Sequence, residues 1–90
     1  MATFIDFHPI GRYTEDDLRK SQNEPRDEFG VKVLNIFYDI DAGMIFCLLD
    51  APNRHAVEKH HFKLGVKCDW ITAVKMTSES YKGSDLAMSK

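Results

Sequence analysis

The chain has 90 residues, of which 43% are hydrophobic and 29% charged, and its formal net charge is −2. This composition is typical of one globular domain, and the near-neutral charge gives no reason to expect nucleic acid as a partner. No apolar run reaches the roughly 18 residues of a membrane span, and the first residues lack the pattern of a signal peptide. The two cysteines are therefore expected to be free thiols of a cytoplasmic protein.

The first part of the chain predicts a strand followed by a helix. Residues 3–8 alternate and are rich in aromatic and β-branched side chains, which favours a strand. Thr14 precedes three acidic residues, a pattern typical of a helix N-cap and first turn. Pro25 predicts a break or kink in this helix, because proline removes a backbone donor and clashes with the preceding turn. Gly30 marks the predicted end.

The middle of the chain predicts a β-hairpin. Residues 31–40 and 44–49 are two apolar runs, and the turn residues 41–43 separate them.

The last part predicts a second helix, a fourth strand and a tail. Asn53 is a suitable N-cap for a helix that Gly65 ends. Residues 70–76 form the last predicted strand, and residues 77–90 show little periodicity, which predicts a flexible tail.

The predicted order of elements is β-α-β-β-α-β. At this length it indicates an α+β, ferredoxin-like domain over residues 1–76. That fold has an antiparallel four-stranded sheet with strand order 4-1-3-2 and both helices on one face.

The predicted strands are apolar on both faces, although helices cover only one of them. Partial coverage by the tail is one explanation. A second copy packed on the helix-free face is the other, since large exposed apolar patches mark interfaces. The sequence thus favours a homodimer of the dimeric α+β barrel type. The face is predicted to contain four apolar residues or their opposite-parity neighbours: Ile36, Phe46, Leu48 and Trp70.

Histidines and a cysteine converge at one end of the predicted fold. His8 closes the first strand, Cys68 opens the last, and His60 and His61 lie late in the second helix. At about 100° per residue, the arc 56, 57, 60 and 64 faces inward, with His60 near its centre and His61 at its edge. His55 falls outside this arc and is expected to be a solvated surface residue.

Two functional interpretations stay open at this point, beside that of an ordinary core histidine. Imidazole and thiolate together suit borderline or soft transition metals such as nickel, zinc and copper. Alternatively, a cofactor-free monooxygenase or isomerase could use His8, His60 and Tyr38 as acid or base in the cleft between helices and sheet.

Three stretches resemble a family of small bacterial nickel-binding proteins that was first catalogued as a domain of unknown function. They read FIDFHPI, LNIFYDIDAGMIFC and FCLLDAPNRHAVEKHHFKLGVKCDWITAV, within positions 3–76. The resemblance implies a ferredoxin-like fold that pairs into dimers, and a bound metal ion with nickel first. It also implies His8, Cys47, His60 and His61 as ligands. Cys68 joins this set from topology alone.

Overall fold

The computed structural model describes residues 1–78, so the predicted tail lies outside the described residues except for its first two positions. The elements follow the predicted order: β1 (Ala2–Pro9), α1 (Glu15–Asn23), β2 (Lys32–Asp39), β3 (Met44–Ala51), α2 (Arg54–Leu64) and β4 (Trp70–Ala73). The last strand is three residues shorter than predicted. Within the described part of the chain, no helix is long and apolar enough to cross a membrane.

The four strands form one antiparallel sheet in the order β2-β3-β1-β4, which confirms the predicted ferredoxin-like topology. β1 is central and pairs with a different strand on each side. At its middle, Asp6 lies opposite Cys47 of β3 and opposite Ile71 of β4. A side chain at this position therefore reaches residues from both neighbouring strands.

The hydrophobic core lies between the helices and one face of the sheet. Its buried members alternate along the strands, as expected when one face of a pleated sheet is covered. They are Phe4, Val31, Val33, Leu49, Ala51, Ala56, Val57 and Ile71.

Helix α2 has the predicted ends. The side chain of Asn53 accepts a hydrogen bond from the backbone N–H of Ala56, and Gly65 ends the helix at φ 70°. A left-handed residue at this place favours glycine, which lacks a Cβ.

Helix α1 begins as predicted but ends early. Thr14 and Asp17 form a capping box, in which each side chain accepts a hydrogen bond from the other residue's backbone N–H. The predicted continuation toward Gly30 is wrong, because the helix ends at Asn23. The residue before a proline disfavours helical dihedrals, and the cap at Glu24, before Pro25, is extended. Residues 24–30 form a loop instead.

Because of a β-bulge in β2, one residue predicted for the helix-free face lies on the other face. The register between β2 and β3 shifts between Val33 and Asn35. An extra residue inverts the alternation that follows it, so Ile36 joins Val33 on the helix side and packs against the core. Phe37 takes the outward position and is exposed.

The helix-free face carries an aromatic cluster near β4. Phe7, Phe46 and Trp70 pack with ring centroids 5.1 to 6.2 Å apart. Trp70 is still 45% exposed. Leu48 lies on this face as well, so three of the four predicted residues are placed there.

Candidate metal centre

Asp6 is a carboxylate inside the core. Its side chain is fully buried, and its Oδ1 accepts a hydrogen bond from the backbone N–H of Cys47 at 3.3 Å. Its Oδ2 lies 2.6 Å from Nε2 of His61. Oδ2 has no hydrogen-bond partner among residues 1–78. A buried carboxylate oxygen in this condition is costly unless a cation or proton compensates it.

Two buried histidines, His61 and His8, have Nε2 facing the region around Asp6 and Cys47. Nδ1 of His61 lies 3.0 Å from the carbonyl oxygen of Val57, and Nδ1 of His8 lies 3.2 Å from that of Pro9. A carbonyl oxygen only accepts, so each Nδ1 carries the proton. In the neutral ring Nε2 then carries no proton and is able to bind a metal ion. A backbone carbonyl that fixes the tautomer in this way is the usual support of a metal-binding histidine.

The donor atoms fall into two groups that share Asp6. One contains Asp6, His8 and Cys47, and the other contains Asp6, His61 and Cys68. Within each group the donor atoms lie within 4.8 Å of one another. Carboxylate, imidazole and thiolate together suit a borderline transition metal, so the residues present fit such an ion.

Both cysteines are protonated thiols in the absence of an ion. Burial, and then the charge of Asp6, raises the pKa of Cys47 far above its ordinary value. The same two causes, in the same order, raise the pKa of Cys68 to about 11. A nearby divalent cation opposes both effects, because it stabilises the thiolate.

His60 lies beside a different carboxylate. Its Nδ1 is 2.6 Å from Oδ2 of Asp27, in the loop between α1 and β2. The other carboxylate oxygen, Oδ1, accepts hydrogen bonds from the backbone N–H groups of Phe29 and Val31, both at 2.9 Å. His60 also lines a cavity of about 130 Å³ between this loop and α2. The structure therefore places His60 next to the predicted site but outside both donor groups.

The buried arc of α2 differs from the predicted one. It consists of Ala56, Val57 and His61, and Leu64 is exposed. The hydrogen bond between His61 and the carbonyl of Val57, one turn earlier, accompanies the inward position of this ring. His55 is exposed, as predicted.

The residues of the enzyme interpretation do not all meet. His8 and His60 line a common cavity of about 40 Å³ under the sheet. Tyr38 is at the surface, where its hydroxyl donates to Glu15 at 2.9 Å.

The sequence does contain a signal for Asp6. In β1, Phe4, Asp6 and His8 share one parity, and all three are buried. A charged residue between two inward-facing positions of a central strand needs a partner. Because Asp6 and His8 alternate on the same face of β1, the partner of Asp6 is expected on that face, near His8.

The fold and the donor groups together define a small ferredoxin-like protein with a buried carboxylate, imidazole and thiol cluster. The chain belongs to the family described as nickel responsive protein SCO4226-like, whose family model matches residues 4–74. This confirms the resemblance seen in the sequence.

A solved structure supports the same assignment. The chain is similar to SCO4226 from Streptomyces coelicolor A3(2), with a TM-score of 0.70 and 27% sequence identity. The alignment covers 86% of this chain and 100% of that one. No curated protein matches the chain.

Proposed function

We propose that the protein binds a divalent transition metal ion, nickel first, with zinc and copper as alternatives. One observation carries the proposal: the buried Oδ2 of Asp6 lies 2.6 Å from Nε2 of His61 and has no hydrogen bond. The proton of His61 is held on Nδ1 by the carbonyl of Val57. A cation bound by both Nε2 and Oδ2 would compensate the buried carboxylate.

The proposed ligands come from β1, β3, α2 and the segment just before β4. Asp6 supplies a carboxylate, and His8 and His61 supply imidazole nitrogens. Cys47 and Cys68 supply thiolates, which favour nickel, zinc or copper over magnesium or calcium. His60 is left out of the proposed set, because its Nδ1 is bound to Asp27. The nickel response in the family's description agrees with this choice of metal.

We also propose that two copies pair through the helix-free sheet face. The supporting observation is the aromatic cluster there, with Phe37 and Trp70 exposed at 40% and 45%. Sedimentation of the purified protein at micromolar concentration should show a dimer. A compact monomer would contradict this proposal without affecting metal binding.

The location follows from the ligands. Thiols bind a metal only when they are reduced, and both cysteines are unpaired. The proposal therefore requires a reducing compartment, and we propose the cytoplasm.

Calorimetry with reduced protein at neutral pH tests metal binding. Nickel, zinc and copper should each bind, while magnesium, a hard ion that prefers oxygen ligands, should not. Nickel should also give a thiolate charge-transfer absorption band, which imidazole and water alone do not produce. His55→Ala is the control, because this exposed histidine lies outside both donor groups. Uptake of none of the three metals would refute the proposal.

A further inference from the structure

The five donor residues do not form one site. His8 and Cys47 form one group with Asp6, and His61 and Cys68 form another. The sheet explains this arrangement. Cys47 pairs with Asp6 across the β1–β3 ladder, whereas Cys68 precedes β4, which pairs with the opposite edge of β1. Asp6 is common to both groups, and no described group contains both cysteines.

The two groups also face different spaces. Asp6, His8 and Cys47 line the smaller and less open cavity of about 40 Å³ between the helices and the sheet. Cys68 instead lines a more open groove of about 290 Å³ between α2 and β4. His61 lines both spaces. One donor group therefore lies on the inner cavity, and the other reaches the groove through His61 and Cys68.

Charge limits how many ions these groups hold together. An ion of charge +2 beside the Asp6 carboxylate and one thiolate is neutralised. Two such ions would bring four positive charges against three anionic groups, those of Asp6, Cys47 and Cys68. Asp69 is exposed and belongs to neither group. A net charge in a region where Asp6 is fully buried is strongly unfavourable.

We propose, on the basis of the metal-binding function above, that the protein has two alternative positions for one ion. The outer position uses His61 and Cys68, and the inner position uses His8 and Cys47. Asp6 serves both, so occupation of one position excludes the other. The groove between α2 and β4 gives the ion its access, and the inner cavity holds it away from solvent.

Nickel titration of the reduced protein and its serine variants tests this arrangement by stoichiometry and absorption. The wild type should bind one ion per chain. Cys47→Ser and Cys68→Ser should each still bind one ion and keep a thiolate charge-transfer band, because each retains one complete group. The double variant should lose the band. Asp6→Asn should lower the affinity at least tenfold in the wild type and in both single variants, since it alters both groups.

The outcomes separate the two proposals. Two ions per chain in the wild type, or loss of the band in only one of the single variants, would overturn the alternative positions while leaving metal binding intact. Absence of nickel uptake by the wild type would refute the proposed function and this inference with it. Circular dichroism of every variant shows whether it folds, and Cys47→Ala and Cys68→Ala replace any serine variant that does not.

Discussion

Two adjacent histidines of α2 have opposite surroundings. His60 meets a carboxylate that is already well satisfied, since Asp27 accepts two backbone N–H groups in addition to the histidine. His61 meets Asp6, whose Oδ2 has no hydrogen bond among the described residues. The first pair is a complete network that organises a loop. The second is incomplete until a cation or proton joins it.

This difference is the reason for proposing His61, and not His60, as a ligand. Both rings lie 2.6 Å from a carboxylate oxygen, so distance alone does not distinguish them. The remaining hydrogen bonds of each carboxylate do. A network with every acceptor filled stabilises the fold, whereas an unfilled acceptor in the core marks a site that is retained at a cost in stability.

The largest expected difference between the two histidines is in metal affinity. His61→Ala removes the proposed imidazole ligand of the outer position and the contact of this ring with Asp6, which serves both positions. Nickel binding should therefore weaken by about 10- to 100-fold, the range for residues that support a ligand. His60→Ala removes no proposed ligand, so it should change the affinity less than about threefold. Calorimetry on both variants measures this, with His55→Ala as reference. A larger loss from His60→Ala would show that His60 is a ligand after all.

The loop network should dominate stability. Asp27→Ala leaves the N–H groups of Phe29 and Val31 and the ring of His60 without their acceptor, which should cost about 2 to 3 kcal/mol in the free energy of unfolding. Nickel affinity should remain that of the wild type. Urea unfolding measured with and without nickel separates these effects. An unchanged unfolding midpoint would show that the network contributes little.

The two carboxylates should respond in opposite directions when each is replaced by its amide. Without metal, Asp6→Asn removes a buried charge with an unsatisfied oxygen and should raise stability by about 1 kcal/mol. Asp27→Asn loses a charge that is well hydrogen-bonded and should lower stability by about the same amount. Thermal unfolding of the two metal-free variants tests the contrast. If both changes destabilise the protein, Asp6 has a structural role as well.

The smallest expected effect is on the stability of the protein at acid pH. Burial would raise the pKa of Asp27, but the hydrogen bonds from Val31, His60 and Phe29 outweigh it and lower this pKa below the ordinary value. The folded state therefore binds this proton less readily than the unfolded state. The resulting stabilisation is present above about pH 4, the ordinary aspartate pKa, and is lost as the pH falls through the lowered value. The stability gap between wild type and Asp27→Asn should narrow from pH 6 to pH 3 in urea unfolding. A constant gap would show that the charge of Asp27 is not involved.

The sequence predicted the order of elements and the strand order because these follow from local patterns. Alternating strands, the cap at Asn53 and the stop at Gly65 each depend on a few neighbouring residues. The bulge in β2 depends on pairing with β3, so its inversion of Ile36 and Phe37 was not predictable from alternation. Pro25 was predicted to break or kink the helix, and the helix ends two residues before it, at Asn23.

The candidate site was predicted only in part. His8, Cys47, His61 and Cys68 were anticipated, and the structure brings each of them near Asp6. Asp6 itself was missed, since its significance depends on two strand neighbours distant in sequence. The choice between His60 and His61 depends on about 100° of helix rotation. It also depends on the position of Asp27, which lies in a loop and cannot be predicted from the pattern of α2.

The shortness of β4 gives metal binding a mechanical consequence. This strand has four residues, begins two residues after Cys68, and within residues 1–78 pairs only with β1. Short edge strands are the parts of a domain that open first, at a free energy far below that of global unfolding. An ion that holds Cys68 against Asp6 acts as a cross-link between β1 and the start of β4. Its binding free energy then adds to the cost of opening this edge, and amide hydrogen exchange in residues 70–73 should slow in proportion to the nickel concentration above the dissociation constant.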